Sequence, residues 1–336
     1  MRISPQMPAI PWPEDMAPRL LVVVDTEEEF DWNEPFSRQA TGVRAMRAQG
    51  TAQRLFEPYG ICPTYVIDFP VASQPDGFTP LAEFHADGRC RIGAHLHPWV
   101  NPPFDEEVTP ENSYPGNLAP ALEREKLRRL VGAIEDNLGL TPTIYKAGRY
   151  GLGPHTPETL KDLGFEVDMS IVPGWDFGAD GGPDFTAYPE RPCWLGGDRR
   201  VLEIPVTSGF AGVLASRGPG LYRRLASPTG LALHLPGVFA RTGVIERIRL
   251  TPEGTTFDEL RRLTEALLRS GHKLFSFCYH SPSLEPGNTP YVCSEVELRA
   301  FLDRFTRYFE YFLDHCDGVA TTPDEVVALA RDCSGP

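Results

Sequence analysis

The chain reads as an α/β protein built on a barrel of seven or eight (β/α) units. Short apolar runs alternate with stretches of helical spacing from Leu20 onward, the order that yields parallel strands joined by right-handed crossovers. Seven of these runs are strong strand candidates, which fits a barrel better than an open sheet. Polar residues also fall at the ends of most of the runs, where a parallel barrel carries its chemistry.

Residues 1–19 form an irregular lead-in with five prolines and no apolar core of signal-peptide length. Leu20–Val24 (LLVVV) is a continuous apolar run, expected as a strand buried on both faces. It ends in Asp25-Thr26-Glu27-Glu28-Glu29. Carboxylates packed behind a buried strand are costly unless a cation waits there; the alternative is a solvated charge run. Helical spacing through Val43, Met46, Leu55 and Phe56 predicts a helix over 38–56. Residues 62–69 are the second strand, 79–86 a short helix and 91–97 the third strand. The proline-rich, acidic stretch 101–120 predicts a long loop, of the kind that covers a site.

Residues 119–138 give the clearest helix, with Leu122, Leu127, Leu130, Val131, Ile134 and Leu138 on one face and Gly139 as its stop. Residues 143–147 are the fourth strand, leading into Gly148-Arg149-Tyr150-Gly151. Thr156 is placed as the cap of a helix with Pro157 at its first position. Residues 165–170 and 201–206 are the fifth and sixth strands. Between 209 and 251 prolines and glycines interrupt the pattern, and this stretch is read as an insertion. Thr256 and Glu259 form a capping box for a helix to Arg269, and Lys273–His280 is the seventh strand. Ser294 with Glu297, then Thr322, Pro323 and Glu325, open the last two helices. With no repeat, low-complexity tract or clean linker, residues 20–332 are expected to form one domain containing the insertion.

A hydrophobic fraction of 41% is enough for a large core. The net charge of −14 argues against nucleic acid or an anionic membrane surface as partner, and no window approaches a membrane span. Seven scattered cysteines without a C-x-x-C predict reduced thiols in a cytoplasmic protein.

The third strand ends in His95-Leu96-His97-Pro98. Side chains two apart share a face of a strand, so both imidazoles can address one point, and imidazole is the commonest metal ligand. Pro98 cannot extend a ladder, which puts the pair where strand becomes loop. Asp25, Arg149, Asp168, Ser170 and His280 lie at or just after the ends of other predicted strands.

These residues, in the order Val-Asp-Thr-Glu, His-Leu-His-Pro, Gly-Arg-Tyr-Gly, Asp-Met-Ser-Ile-Val-Pro-Gly-Trp and Tyr-His-Ser-Pro, resemble the polysaccharide deacetylase superfamily (NodB homology, carbohydrate esterase family 4), and look closest to a WalW-like branch. The resemblance runs from about Leu20 to Ser283. It implies a distorted (β/α)7 barrel with long loops, and a divalent metal used to remove acetyl groups from N-acetylated sugars. Carried over motif by motif, Asp25 is the catalytic base and Glu27 the metal ligand beside His95 and His97. The family pattern has adjacent aspartates, so Asp25 also stands as a possible ligand. The family spaces its two histidines four apart, whereas here the spacing is two. Arg149 would orient the base, Asp168 would hold the general acid His280, and Trp175 would wall the acyl pocket, with Tyr150 and Ser170 as further substrate-binding candidates. Glu28 and Glu29 are read as solvated or loop-anchoring.

The expected function is metal-dependent removal of an acyl group from an N-acylated sugar or polysaccharide precursor. Two imidazoles and one carboxylate suit zinc, and cobalt, nickel, manganese and iron share that preference. The alternatives are a small-molecule hydrolase of cyclic amides on the same fold, or an inactive barrel that only binds glycans. An amidohydrolase-type barrel is disfavoured, because it carries its His-x-His on the first strand.

Overall fold

The computed structural model describes Met7 and residues 9–196 and 198–334; Met1–Gln6 and Pro8 of the expected lead-in lie outside the described residues. Its strands are β1 (Arg19–Thr26), β2 (Thr64–Ile67), β3 (Arg91–Leu96), β4 (Ile144–Ala147), β5 (Val167–Asp168), β6 (Cys193–Leu195), β7 (Val201–Glu203), β8 (Ser208–Ala211), β9 (Glu246–Arg249), β10 (Leu274–His280) and β11 (Val319–Ala320). The principal sheet runs β10-β1-β2-β3-β4-β5-β7-β6, and β11 pairs with β1. The seven strands from β10 to β7 are mutually parallel, while β6 is antiparallel to β7. These seven are the strands expected from the sequence, curled into a distorted barrel.

The distortion is a seam between β7 and β10. No ladder joins them. Instead the Leu250 amide donates to the Thr207 carbonyl and the Cys278 amide donates to the Leu250 carbonyl, while Ser276 and Thr207 exchange amide-to-hydroxyl bonds of 2.8 Å. The stretch read as an insertion thus begins and ends in the barrel wall. In between it forms the β8–β9 hairpin and three short helices (Gly218–Leu225, Pro228–Ala232 and Leu235–Arg241) over a small cluster of Phe210, Leu225 and Ile245.

The two-residue period divides the core. On β1, Leu20, Val22 and Val24 pack outward against the helices, and Leu21 and Val23 pack into the barrel. Ile92, Ala94 and Leu96 of β3 and Tyr145 and Ala147 of β4 likewise face out, which turns Gly93, His95, Ile144 and Lys146 inward. Gly93 is required there, because a Cβ would lie 2.7 Å from the Ile144 carbonyl oxygen and 2.9 Å from the Val66 side chain.

Several expectations about helices change. Residues 38–56 give only a short 3-10 turn at Arg44–Ala48 and a helix at Gln49–Phe56, because the preceding loop is pinned by Glu29, which accepts from the Ala45 amide and pairs with Arg44. The helix placed at 79–86 begins at Pro75. The Thr156 side chain does not cap its helix but donates to Glu123. The capping box at Thr256 and Glu259 is present, Ser294 caps its helix, and Gly139 ends the Pro120–Leu138 helix at φ +70°.

The outward face also holds a buried acidic group. Asp168 and Glu203 are ladder neighbours on β5 and β7, and Ser170 donates to Asp168 at 2.5 Å. Burial raises all three carboxyls of this region, Asp168 to about 6, Glu123 to about 7, and Glu203 well above its ordinary value. A carboxyl whose pKa rises on folding favours the folded state at low pH, and that contribution is lost as pH rises through the folded value. Stability measured by urea unfolding is therefore expected to fall between pH 5 and pH 8. Glu123→Gln should flatten its part of that slope, on the order of 3 kcal/mol for a shift of this size.

Candidate active site

Register brings the inward polar residues together. Asp25 on β1 is the ladder neighbour of His280 on β10, and His95 on β3 is the neighbour of Lys146 on β4. All four sit at the carboxyl ends of parallel strands. They adjoin a pocket of about 260 Å³ lined by Asp25, Glu27, His95, His97 and His280 and walled by aromatic rings, Phe30, Trp32, Phe36, Trp99, Tyr150 and Phe177 among them.

His95 and His97 project from the same face with ring centroids 4.6 Å apart. Each is oriented through Nδ1. His95 donates to the Lys146 carbonyl at 2.9 Å, and His97 bonds Glu28 Oε2 at 2.8 Å. Both Nε2 atoms thereby face Glu27, whose Oε2 lies 3.7 Å from His95 and 3.5 Å from His97. Burial holds both imidazoles below their ordinary pKa, His97 at about 4, so they are neutral and offer lone pairs. Glu27 Oε1 is buried without a hydrogen-bond partner, and burial pushes this carboxyl well up. A carboxyl with one oxygen turned to two neutral imidazole nitrogens and the other buried without a partner is what a divalent cation satisfies, and one donor atom from each of the three residues lies within 4.8 Å of the others. A second grouping, Glu28, Asp68 and His97, does not fit. Its histidine uses the Nδ1 already bonded to Glu28, and Asp68 is taken up by the Glu28 and Val71 amides, at 2.7 and 2.8 Å.

Glu28 is therefore not solvated. It is fully buried and accepts from His97 and, at 2.8 Å, from Trp99 Nε1, while its amide donates to Asp68 at 2.7 Å. Glu29 anchors its loop on Arg44 and the Ala45 amide.

Asp25 faces the same pocket with a different partner from the one expected. Lys146 Nζ donates to both its oxygens, at 2.5 and 2.7 Å. Burial alone would raise the carboxyl, but the charges of Lys146, foremost, and His280 outweigh it and hold Asp25 at about 2. The cation that contacts Asp25 is thus Lys146 and not Arg149, which was expected to orient it. Arg149 follows the strand with left-handed backbone, φ +52°. Its side chain lines the outer pocket, bonds Ser113 at 2.6 Å and Asp180 at 3.1 Å, and lies over the Tyr114 ring.

His280 has a different holder too. Its Nδ1 is bonded to Glu253 at 2.7 Å, its amide donates to the same carboxylate at 3.1 Å, and its Nε2 stands 3.7 Å from Asp25. Burial would lower this imidazole, but Glu253, Glu27 and Asp25 raise it to about 9. Asp168 cannot serve, because it lies on the outward parity of β5 beside Tyr145 and Glu203. Ser170 is likewise fully buried and bonds Asp168 and the Ala147 amide. Trp175 stands behind the pocket wall, stacked under Arg247 and Arg249 at 3.8 and 4.8 Å. Tyr150 does line the pocket, between the Lys146 ammonium, 5.3 Å from its ring centre, and Arg249, which donates to its hydroxyl at 3.0 Å.

Sequence reasoning missed Lys146, Glu253, Glu28 and Arg249. A lysine within a short buried strand was a signal for the first. Glu253 sits in an unremarkable Thr-Pro-Glu-Gly turn and had none. Removing one partner of a buried ion pair strands the other charge. Lys146→Met is thus expected to lose about 3–5 kcal/mol by urea unfolding, with much of that recovered when Asp25→Asn is added.

No protein-family model matches the sequence, and no curated protein matches it. Solved structures do match. A provisionally assigned polysaccharide deacetylase from Mycobacterium smegmatis superposes with TM-score 0.57 at 16% identity over 99% of this chain and 96% of its own. A protein of Pseudomonas aeruginosa PAO1, also provisionally assigned as a polysaccharide deacetylase, gives 0.55 at 17% identity, covering 96% of this chain and 93% of its own. Puue allantoinase gives 0.55 at 16% identity over the same shares. The chain thus has the fold of these proteins, the distorted (β/α)7 barrel of the NodB type.

Proposed function

We propose that this protein is a metal-dependent hydrolase that removes an acyl group, acetyl foremost, from an N-acylated sugar. One observation carries the reading. An ionised carboxylate, Asp25, and a protonated imidazole, His280, adjoin a buried trio of two neutral imidazoles and an unsatisfied carboxylate in a single pocket.

Glu27, His95 and His97 would hold the metal. Two nitrogens and one oxygen suit zinc, with cobalt, nickel, manganese and iron as its competitors. Bound there, a divalent cation supplies Lewis acidity toward the acyl oxygen and acidifies water. Asp25 accepts the proton of the attacking water, and Lys146 keeps it ionised until then. His280 Nε2 donates a proton to the departing nitrogen, while Glu253 holds Nδ1 and stabilises the imidazolium. Water adds to the carbonyl carbon, the C–N bond breaks, and the products are a carboxylic acid and a free amine. The aromatic walls restrict solvent around the charged groups, which strengthens their interactions.

The order of the sequence motifs supports the WalW-like branch of the superfamily. The seven unpaired cysteines support a reducing compartment, and among the described residues no helix is long and apolar enough to cross a membrane. The small pocket favours a second reading, hydrolysis of a small cyclic amide, over action on a polymer.

Zinc-loaded protein is expected to release acetate from N-acetylated sugars. Asp25→Asn should lower kcat by about 10²–10⁴-fold with metal content retained, and His97→Ala should lose the metal itself. Metal-replete protein that hydrolyses neither acetylated sugars nor cyclic ureides would overturn the proposal. The general acid loses its proton as pH rises through the His280 pKa, so activity falls on the alkaline side. Because Glu253 raises that pKa, Glu253→Gln should move the alkaline limb of kcat/KM to lower pH.

A further inference from the structure

Four cationic side chains stand in or against the pocket, and three have an acidic partner. Lys146 is paired with Asp25, His280 with Glu253, and Arg149 with Asp180. The fourth, Arg249, has none: among the described residues its hydrogen-bond partner is the Tyr150 hydroxyl, and its Nε is buried with no acceptor. The acid nearest in charge terms, Glu253, is already spent on the His280 amide and ring and on the Ser283 hydroxyl. Of the other acids in the lining, Glu27 is turned to His95 and His97, and Glu34 is exposed.

Arg249 is also held rigidly. Its guanidinium lies 4.8 Å from the Trp175 ring centre and 5.6 Å from that of Tyr150. Its backbone ends β9, immediately before Leu250 locks into the barrel seam. A guanidinium fixed between two rings in a catalytic cavity, with unused donors and no carboxylate, is arranged for a ligand's anionic oxygens, since its planar fork matches them in pairs. Leaving such a charge unpaired is costly, and a substrate that brings its own anion removes the cost.

We infer that Arg249 forms an anion subsite, so that the substrate is a small acylated amine or amide bearing a carboxylate or a phosphate. This rests on the proposed acyl hydrolysis and narrows it. Tyr150 lies between Arg249 and the Lys146–Asp25 pair, so the anionic group would sit across one aromatic ring from the scissile amide. A monosaccharide or a compact acyl-amino acid has that reach and suits the 260 Å³ cavity.

The test compares N-acetylglucosamine, its 6-phosphate and its uronic acid as substrates of the zinc-loaded protein. The wild type should favour one or both anionic compounds by about 10–100-fold in kcat/KM, the range of a charge-assisted hydrogen-bond pair. Arg249→Gln should shrink that ratio mainly through KM, and Arg249→Lys should restore part of it. Which anion is preferred identifies the source of the charge. A wild type indifferent to the anion, or an Arg249→Gln loss equal for all three compounds, overturns the subsite. If no compound is hydrolysed, the parent reading fails, and calorimetric affinities for the same three compounds decide the subsite alone. Tighter binding of an anionic compound that Arg249→Gln abolishes supports it, and equal binding overturns it.

Discussion

Two oxygens of Asp25 share one ammonium nitrogen, Lys146 Nζ, and both residues are buried at the base of the cavity. The rest of the site depends on that contact. Without it, burial would push the carboxyl up until it lost its charge, and a protonated acid cannot take a proton from water. With it, Asp25 stays ionised within reach of His280, and each reinforces the charge of the other. The same lysine fixes the neighbouring ligand through its backbone, because its carbonyl accepts from His95 Nδ1 and so sets the nitrogen that faces Glu27. One residue on β4 therefore keeps Asp25 charged with its side chain and orients a candidate ligand with its main chain.

The second organising feature is the incomplete closure of the barrel. A ladder between β7 and β10 would leave no room for other chain. The seam instead admits the foot of the β8–β9 hairpin, where Leu250 and Thr207 take up the hydrogen bonds a strand would have made. Two side chains of the site enter by this route. Arg249 reaches the pocket one residue before the lock, and Glu253 reaches the back of His280 three residues after it. The apparent insertion is thus part of the pocket wall, and its short helices are the excursion between two anchored ends.

Where sequence reasoning misplaced a residue, the cause was parity or partner choice rather than element assignment. Asp168 does lie at the end of β5, as expected. It faces outward because Val167 faces in, and a two-residue period allows no other outcome. Arg149 is a cation near the end of β4 and so was a reasonable partner for Asp25. Lys146 has the place because it is on the inward parity, whereas Arg149 follows the turn into left-handed backbone and meets the loop around Ser113. Trp175 was expected as a wall and instead lies beneath two arginines of β9, the second strand of the hairpin.

By itself the sequence determined the seven parallel strands, the helices between them, and the convergence of Asp25, Glu27, His95, His97 and His280, because apolar runs, caps and the two-residue period are local properties and a parallel barrel collects its strand ends at one rim. Only the tertiary structure decided which groups hold those residues in place. Glu253, Lys146, Glu28 and Arg249 meet their partners across the sheet, across the seam or through ring stacking. Such contacts depend on register and side-chain direction between distant segments, which no local pattern encodes.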